Sequence, residues 1–418
     1  MNVELINTGS ELMLGRTLNT HQQWLCRQLA GLGLVVTRQV AVNDTADTIA
    51  SITREALGRA TLVITTGGLG PTSDDRTREA IAALLGRKLR LDESVLRHIE
   101  HYFAARQRVM AESTKVQAMV PEGATVLQNG FGTAPGLVLE ISPANPASPR
   151  QLLVMLPGPP RELRPMFADQ VAPILRQTYP LETALVCRTL KTTGLGESLV
   201  EQKIAPSLEP LVQAGLELGY CARIGEVDVH LAARGQQARQ RVAEAEQITR
   251  TLLGELVFGV DDDTLEAVLV RRLTERKQTL ATAESCTGGL IANRITNVPG
   301  ASVVFWGGLV TYANAAKEKF LDVPAATLAE HGAVSKSVAR AMAEGARRRC
   351  GTDYALAVTG IAGPSGGTTA KPVGTVFIAL ATPREIIVKR FLNPFDRETF
   401  KWVTSQQALD LLRKNLTR

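Results

Sequence analysis

Short apolar runs and stretches of helical period alternate along the first 175 residues. VELI at 3 to 6, LVVTRQVAV at 34 to 42 and LVITT at 62 to 66 read as strands. Between them, a helix is expected over about 18 to 30, closed by Gly31, and another over 45 to 57, with Asp44 or Thr45 placed to cap it. Continuous apolar strands separated by amphipathic helices predict a parallel sheet covered on both faces. The Pro- and Ser-rich stretch at 141 to 150 lies between LVLE and LLVML and reads as a loop joining two strands of this unit. From about 181 to 258 the pattern changes to strand alternation in ALVCRTLKTT and GEVDVHLAAR, with helices near GESLVEQKI and QARQRVAEAEQITRTLL, which predicts a small α+β module. The acidic run Asp261 to Asp263 is a linker or helix start, and TLEAVLVRRLTERK opens a third unit. The expected class is α/β, with α/β/α domains at 1 to 175 and 261 to 418 flanking an α+β domain at 176 to 260.

Composition narrows the picture. At 418 residues the chain is too long for one ordinary core, and 44% hydrophobic with 21% charged residues is the balance of a folded globular protein. Cys26, Cys187, Cys221, Cys286 and Cys350 form no close pairs, so neither a zinc knuckle nor a CxxC redox site is written here. The N-terminus has no basic segment followed by an apolar one, and no run approaches the roughly 20 apolar residues that span a bilayer, so a cytoplasmic location without membrane association is expected. The net charge of +6 is scattered, RRRC at 347 to 350 being its densest cluster. Anionic small substrates suit that charge better than nucleic acid, which is not expected as a partner.

Two glycine-rich turns carry the candidate chemistry. After LVITT comes TGGLGPTSDDRTREAI, where Gly67, Gly68 and Gly70 let backbone amides approach an anion and the following helix offers its positive end. Asp74 and Asp75 either cap that helix or hold a divalent cation. Further along, TLATAES runs into CTGGLIANRI, so Ser285 stands at a strand-to-helix junction with Thr287, Gly288 and Gly289 behind it. A hydroxyl there is either an N-cap or a nucleophile beside amides that can stabilise an oxyanion. Its company favours the second: Tyr312 and Lys317 in VTYANAAKEKF, and a further turn, AVTGIAGPSGG, at 357 to 367.

The strings TGSELMLG, TGGLGPTSDD, NGFGTAPG and LPGPPREL together resemble the N-terminal domain of the CinA family, itself similar to molybdopterin-binding proteins of the MoaB and MogA type. The resemblance implies a phosphate- or pterin-like ligand at Gly67, Gly68 and Gly70. It also implies a divalent-metal-dependent ADP-ribose pyrophosphatase, with polar work at Glu11, Asp74, Asp75 and Lys115 and with Asp74 and Asp75 on the metal. The alternative is a non-catalytic sensing or partner-binding module linked to competence or DNA damage.

From about residue 265 onward, ESCTGG, TYANAAK, GAVS, VTGIAGP and KPVGTV occur in order and resemble the C-terminal CinA domain, the PncC family of nicotinamide mononucleotide amidohydrolases. What that implies is attack by Ser285 on the nicotinamide carboxamide, release of ammonia, and hydrolysis of the acyl-enzyme to nicotinate mononucleotide. No histidine lies in these motifs, and His331 reads as a helix-end residue. The base is therefore Lys317, whose ordinary value of about 10.4 must fall to about 7 or 8 for the task. Tyr312 is expected to relay the proton or orient the lysine. Cys286 is the rival nucleophile. Thr287, Gly288, Gly289, Thr359, Gly360 and Gly363 are expected to contact substrate, the Thr359 hydroxyl included, and Arg397, with Lys371 behind it, to clamp the phosphate. This reaction asks for no cofactor, and the resemblance implies a homodimer.

Overall fold

The computed structural model describes residues 1–141, 150–179 and 185–416. Most of the stretch read as a loop at 141 to 150 falls outside the described residues. The chain forms two compact units, Met1–Val186 and Cys187–Arg418, each taken by itself below.

The first unit is built on a six-stranded sheet. Its strands are β1 (Val3–Thr8), β2 (Val36–Val42), β3 (Leu62–Thr66), β6 (Ala124–Leu127), β7 (Gly136–Ile141) and β8 (Gln151–Leu156), while β4 (Leu89–Leu91) and β5 (Met119–Pro121) pair separately. The order is β2-β1-β3-β8-β7-β6, parallel from β2 to β8 and antiparallel at β7 and β6. Alternation assigns the two faces. Val3, Leu5, Leu62, Ile64 and Val154 pack with Leu25, Leu29, Phe167 and Leu175 on one side. Ile6, Val63, Leu153 and Met155 pack with Ile49, Ile81, Val95 and Ile99 on the other. Burial on both faces is why β1 and β3 read as unbroken apolar runs.

Two local expectations shift. The early helix spans Thr20–Gly31, capped by Asn19, and the chain turns at Gly33, not Gly31. Thr45 stands at the N-cap of Ala46–Leu57 without a side-chain capping bond, its hydroxyl lying 3.0 Å from Asn43 Oδ1 and 2.8 Å from Thr48 Oγ1, while Asp44 accepts from the Ser10 amide at 2.7 Å.

The second unit holds two sheets. Strands β9 (Leu185–Thr193), β10 (Leu216–Arg223), β11 (Glu226–Arg234) and β12 (Val257–Val260) line up as β10-β11-β9-β12. Val227, Val229 and Leu231 of β11 and Val200, Ile204, Val242 and Ala245 of the helices Glu197–Gln213 and Ala238–Leu253 are all buried. The acidic run then leads into the helix Leu265–Arg276, whose cap is Thr264, accepting from the Ala267 amide at 3.2 Å.

Strands β13 (Leu280–Glu284), β14 (Phe305–Val310), β15 (Tyr354–Gly360), β16 (Thr375–Ala381) and β17 (Ile386–Leu392) form the order β14-β13-β15-β16-β17. The pairs β13–β14 and β13–β15 are parallel and the rest antiparallel. One face carries Leu280, Leu356, Val358 and Ile378 beneath Leu269, Ile291, Phe400 and Leu412. The other is paved with Ala283, Ala355, Ala357, Ala379 and Ala381, small enough to bring the helix Lys336–Cys350 close through Ala339, Met342 and Ala343. Among the described residues no helix is long and apolar enough to cross a membrane.

Candidate functional site

The carboxyl ends of the three parallel strands of this sheet meet at Ser285. Its amide donates to Val358 O of β15 at 3.0 Å, and the Thr311 amide, one residue past β14, donates to Glu284 O at 2.8 Å. Ligands of open α/β sheets bind at this edge. Gly288 and Gly289, at φ 63° and 93°, return the chain into the helix Leu290–Thr296 through a region that side-chain-bearing residues avoid.

Glu284 holds the turn. Its carboxylate is fully buried and accepts from the Thr287 hydroxyl at 2.7 Å and from the amides of Gly289, Ile291 and Ala292 at 3.0, 3.1 and 2.8 Å. A negative charge at a helix start completes the orphan amides and meets the helix dipole favourably. Sequence reasoning missed Glu284; its signal was an acidic residue inside an otherwise apolar strand that runs into a helix. The expected oxyanion donors change accordingly. The Gly289 amide is taken by Glu284 and the Gly288 amide by Ser285 O, so neither faces a ligand.

Lys317 reaches Ser285 from the helix Asn314–Leu321. It is 1% exposed, and its Nζ lies 3.1 Å from Ser285 Oγ, 2.9 Å from Thr311 O and 3.1 Å from Tyr312 O. Burial pushes its pKa below the ordinary lysine value, against a smaller opposing effect of the Cys286 thiol. Burial also pushes the Cys286 thiol up to about 12, so this rival is a protonated, packed group.

Several predicted roles are corrected by position. Tyr312 orients the lysine through its carbonyl, whereas its phenol is exposed and accepts from Arg397 Nη2 at 2.7 Å, away from any relay to Lys317. Arg397 also donates to Gly363 O at 3.0 Å, so its fork is partly spent on the protein. The Thr359 hydroxyl is buried and donates to Ala333 O at 2.8 Å, and the Thr287 hydroxyl donates to Glu284, so both are structural contacts. A Cβ on Gly360 would stand 2.9 Å from Thr375 O, so packing against β16 requires that glycine. Lys371 donates to His331 O at 2.8 Å, at the carboxyl end of the helix Ala325–His331 where His331 was expected. In the RRRC cluster, Arg348 and Arg349 pair with Asp322.

In the first unit, a cavity of about 380 Å³ opens beside β1 and β3, with Glu11, Gly67, Gly68, Gly70, Asp74 and Asp75 in its wall together with Asp44 and Glu162. Lys115 does not line it. That lysine is paired with Glu112 at 2.8 Å, and Gln117 of the same short helix takes the place in the wall. Gly67 and Gly68 are needed for internal packing, since a Cβ would stand 2.6 Å from Thr8 O at the first and 2.1 Å from Thr77 Oγ1 at the second. The capping reading of the aspartates does not hold. The helix is Thr77–Leu84 with Arg76 at its N-cap, while Asp75 accepts from the Thr72 amide at 3.0 Å and closes the preceding turn. Glu11, Asp44, Asp74, Asp75 and Glu162 enrich the wall in carboxylate, yet among the described residues no three groups converge as a metal site.

Fold and site together define a modular α/β protein. A carboxylate-walled cavity sits in its first unit, and a buried serine–lysine pair sits at the carboxyl edge of its last sheet. The sequence matches three family models: "Probable molybdopterin binding domain" over residues 4–177, "Damage-inducible protein CinA KH domain" over 187–259, and "CinA C-terminal domain" over 262–416. The chain is 46% identical to a CinA-like protein of Akkermansia muciniphila, over 97% of this chain and 95% of that one. It is 42% identical to a CinA-like protein of Kosmotoga olearia, over 100% and 99%. A crystal structure of the competence/damage inducible protein CihA from Agrobacterium tumefaciens is 39% identical, covering 37% of this chain and 98% of that one at a TM-score of 0.36. The chain belongs to the CinA family, with a MoaB/MogA-like N-terminal domain, a KH-like middle domain and a CinA C-terminal domain.

Proposed function

We propose that the C-terminal part hydrolyses the carboxamide of nicotinamide mononucleotide, giving nicotinate mononucleotide and ammonia through an acyl-enzyme on Ser285. The observation that carries this reading is the contact of a buried Lys317 Nζ with Ser285 Oγ at 3.1 Å. A neutral amine has two N–H bonds and one lone pair. The carbonyls of Thr311 and Tyr312 accept the two N–H bonds, which turns the lone pair toward the serine hydroxyl. Lys317 then takes the proton as Oγ attacks the carboxamide carbon. The amides from Gly288 to Ala292 are committed to Glu284, Ser285 O and Thr287 O, so the oxyanion is met by those of Cys286 and Thr287, which otherwise face only the weakly accepting Cys286 sulfur. The lysine ammonium returns its proton to the leaving nitrogen, and ammonia departs. Water, deprotonated by the same amine, attacks the acyl carbon, and the ammonium returns that proton to Ser285 Oγ as the ester bond breaks and the acid leaves.

The test is ammonia release from nicotinamide mononucleotide in the presence of EDTA. Ser285→Ala and Lys317→Met are each expected to lower kcat by roughly 10⁴-fold, the scale for losing one member of a catalytic unit. Full activity in Ser285→Ala would overturn the nucleophile assignment. In the N-terminal cavity the wall is lined by Glu11, Asp44, Asp74, Asp75 and Glu162. Its carboxylate-rich wall favours a nucleotide diphosphate accompanied by a cation over the bare anion. Calorimetry with ADP-ribose, with and without magnesium and alongside a product assay, separates catalysis from sensing. The homodimer implied by the family is tested by light scattering.

A further inference from the structure

A second cavity, of about 670 Å³, flanks the serine turn within the same unit. Leu290, the first residue of the helix after that turn, forms one wall, and Arg397, Lys401 and Trp402 from the first turns of the last helix form another. The third wall comes from the middle module: Ile224, at the tip of the β10–β11 hairpin. That tip is fastened. Trp402 Nε1 donates to Ile224 O at 3.2 Å, and Gln406 Nε2 donates to Glu226 Oε1 at 2.6 Å. Gln406 in turn accepts from Arg294 at 2.7 Å, and Arg294 lies 4.5 Å over the Trp402 ring. Arg294 is on the helix whose start Glu284 holds against Ser285. Hairpin, last helix and serine turn are thus one hydrogen-bonded assembly.

Three charged side chains line this cavity, Arg397, Lys401 and the carboxylate of Glu398, so the wall carries a net positive charge of one, and its two cations are not equally available. Arg397 is engaged with Gly363 O and the Tyr312 phenol. Lys401 has no hydrogen-bond or ion-pair partner among the described residues, and its Nζ lies 3.7 Å from where a Cβ on Gly288 would stand. An unpaired ammonium beside the serine turn, walled by Leu290, Ile224 and Trp402, suits a ligand with an apolar or ribosyl body and an anionic end. We propose that this cavity is the distal part of the amide site, that Lys401 takes the anionic end of the substrate, and that Ile224 makes the middle module part of the binding wall. The proposal rests on the amidohydrolase reading for the identity of the substrate, whereas the anion subsite stands on the cavity itself.

The experiment uses the full chain and compares nicotinamide mononucleotide with its riboside as substrates, and ribose 5-phosphate with ribose as ligands in calorimetry. For Lys401→Met the KM for the mononucleotide is expected to rise roughly 10- to 100-fold, the value of one charged hydrogen bond, with the riboside unchanged. Lys401→Arg should retain most of the affinity, which a merely structural role would not predict. Ile224→Asp sets a carboxylate beside the anion and should weaken the mononucleotide more than the riboside, with far-UV circular dichroism confirming the fold. Ammonia release with the same KM in wild type and Lys401→Met would remove the subsite and leave the amide reading standing. No ammonia release, with ribose 5-phosphate bound by wild type and lost in Lys401→Met, would remove the amide reading and keep the subsite. Absence of ribose 5-phosphate binding, or equal weakening of phosphorylated and unphosphorylated ligands, would overturn the proposal.

Discussion

Replacing Glu284 by glutamine isolates the device that shapes the serine turn. One carboxylate oxygen accepts from the Thr287 hydroxyl, the Gly289 amide and the Ile291 amide, and the other from the Ala292 amide. Glutamine keeps one acceptor oxygen and presents an NH₂ group to whichever donors faced the other. At least one charged hydrogen bond disappears, about 1.5–3 kcal/mol, and one buried amide is left facing another donor, about 1–3 kcal/mol. The expected loss is about 3–5 kcal/mol in the stability of the C-terminal sheet, toward the upper range for single substitutions. Urea denaturation at unchanged m measures it, and hydrogen exchange at Gly289, Ile291 and Ala292 locates it, since these amides should lose protection first. The variant should also lose amide hydrolysis in excess of its unfolded fraction, because Ser285 sits on the segment released. A stability loss under about 1 kcal/mol, or unchanged protection at those amides, would refute the assignment of Glu284 as the anchor of the turn.

Other consequences follow from the same geometry. Because burial lowers the pKa of Lys317, kcat should rise with pH through that lowered value and level off before the ordinary lysine range, and Lys317→Arg should abolish the rise by removing any accessible neutral amine. The same shift has a signature in stability. Between the lowered folded pKa and about 10.5 the unfolded chain binds more protons, so wild-type stability should gain on Lys317→Met as pH climbs through that window, which melting curves at several pH values would show. Gly345→Ala would place a Cβ 1.9 Å from Leu321 O, a backbone atom, and should cost about 3 kcal/mol through forced separation of two helices, read by denaturation. Asp75→Ala removes the acceptor of the Thr72 amide and should weaken any ADP-ribose binding at the N-terminal cavity while leaving ammonia release unchanged, which calorimetry and the amide assay check in parallel.

Much of this site is written locally. An apolar strand running into Ser285, followed by Thr287, Gly288 and Gly289 and then by helical period, reads as a turn at the carboxyl edge of a sheet, and Ser285 is found there, buried one residue past the strand. Lys317 is the candidate base because the surrounding motifs contain no histidine, although nothing local to its helix shows that its amine is buried. What misled was side-chain direction. Tyr312 and Lys317 are five residues apart, but the tyrosine contributes its carbonyl, and its ring turns to Arg397, 85 residues further on. Thr359 and Gly360 look like ligand contacts in a glycine-rich string and are instead required by a neighbouring loop and by β16. Lys115 has the charge for an anion site, but its short helix presents Gln117 to the cavity.

By itself, then, the sequence determined the class of each element, the two-sided sheets and the serine turn, because hydrophobic period and glycine placement act over a few residues. Tertiary structure alone decided which polar atoms are left to react. Glu284 consumes three helix amides, the carbonyls of Thr311 and Tyr312 hold the Lys317 amine beside Ser285, and Lys401, unpaired among the described residues, stands beside a hairpin 177 residues earlier in the chain. Each of these outcomes depends on desolvation and on hydrogen-bond partners that exist only once distant strands have packed, so no local window of sequence carries them.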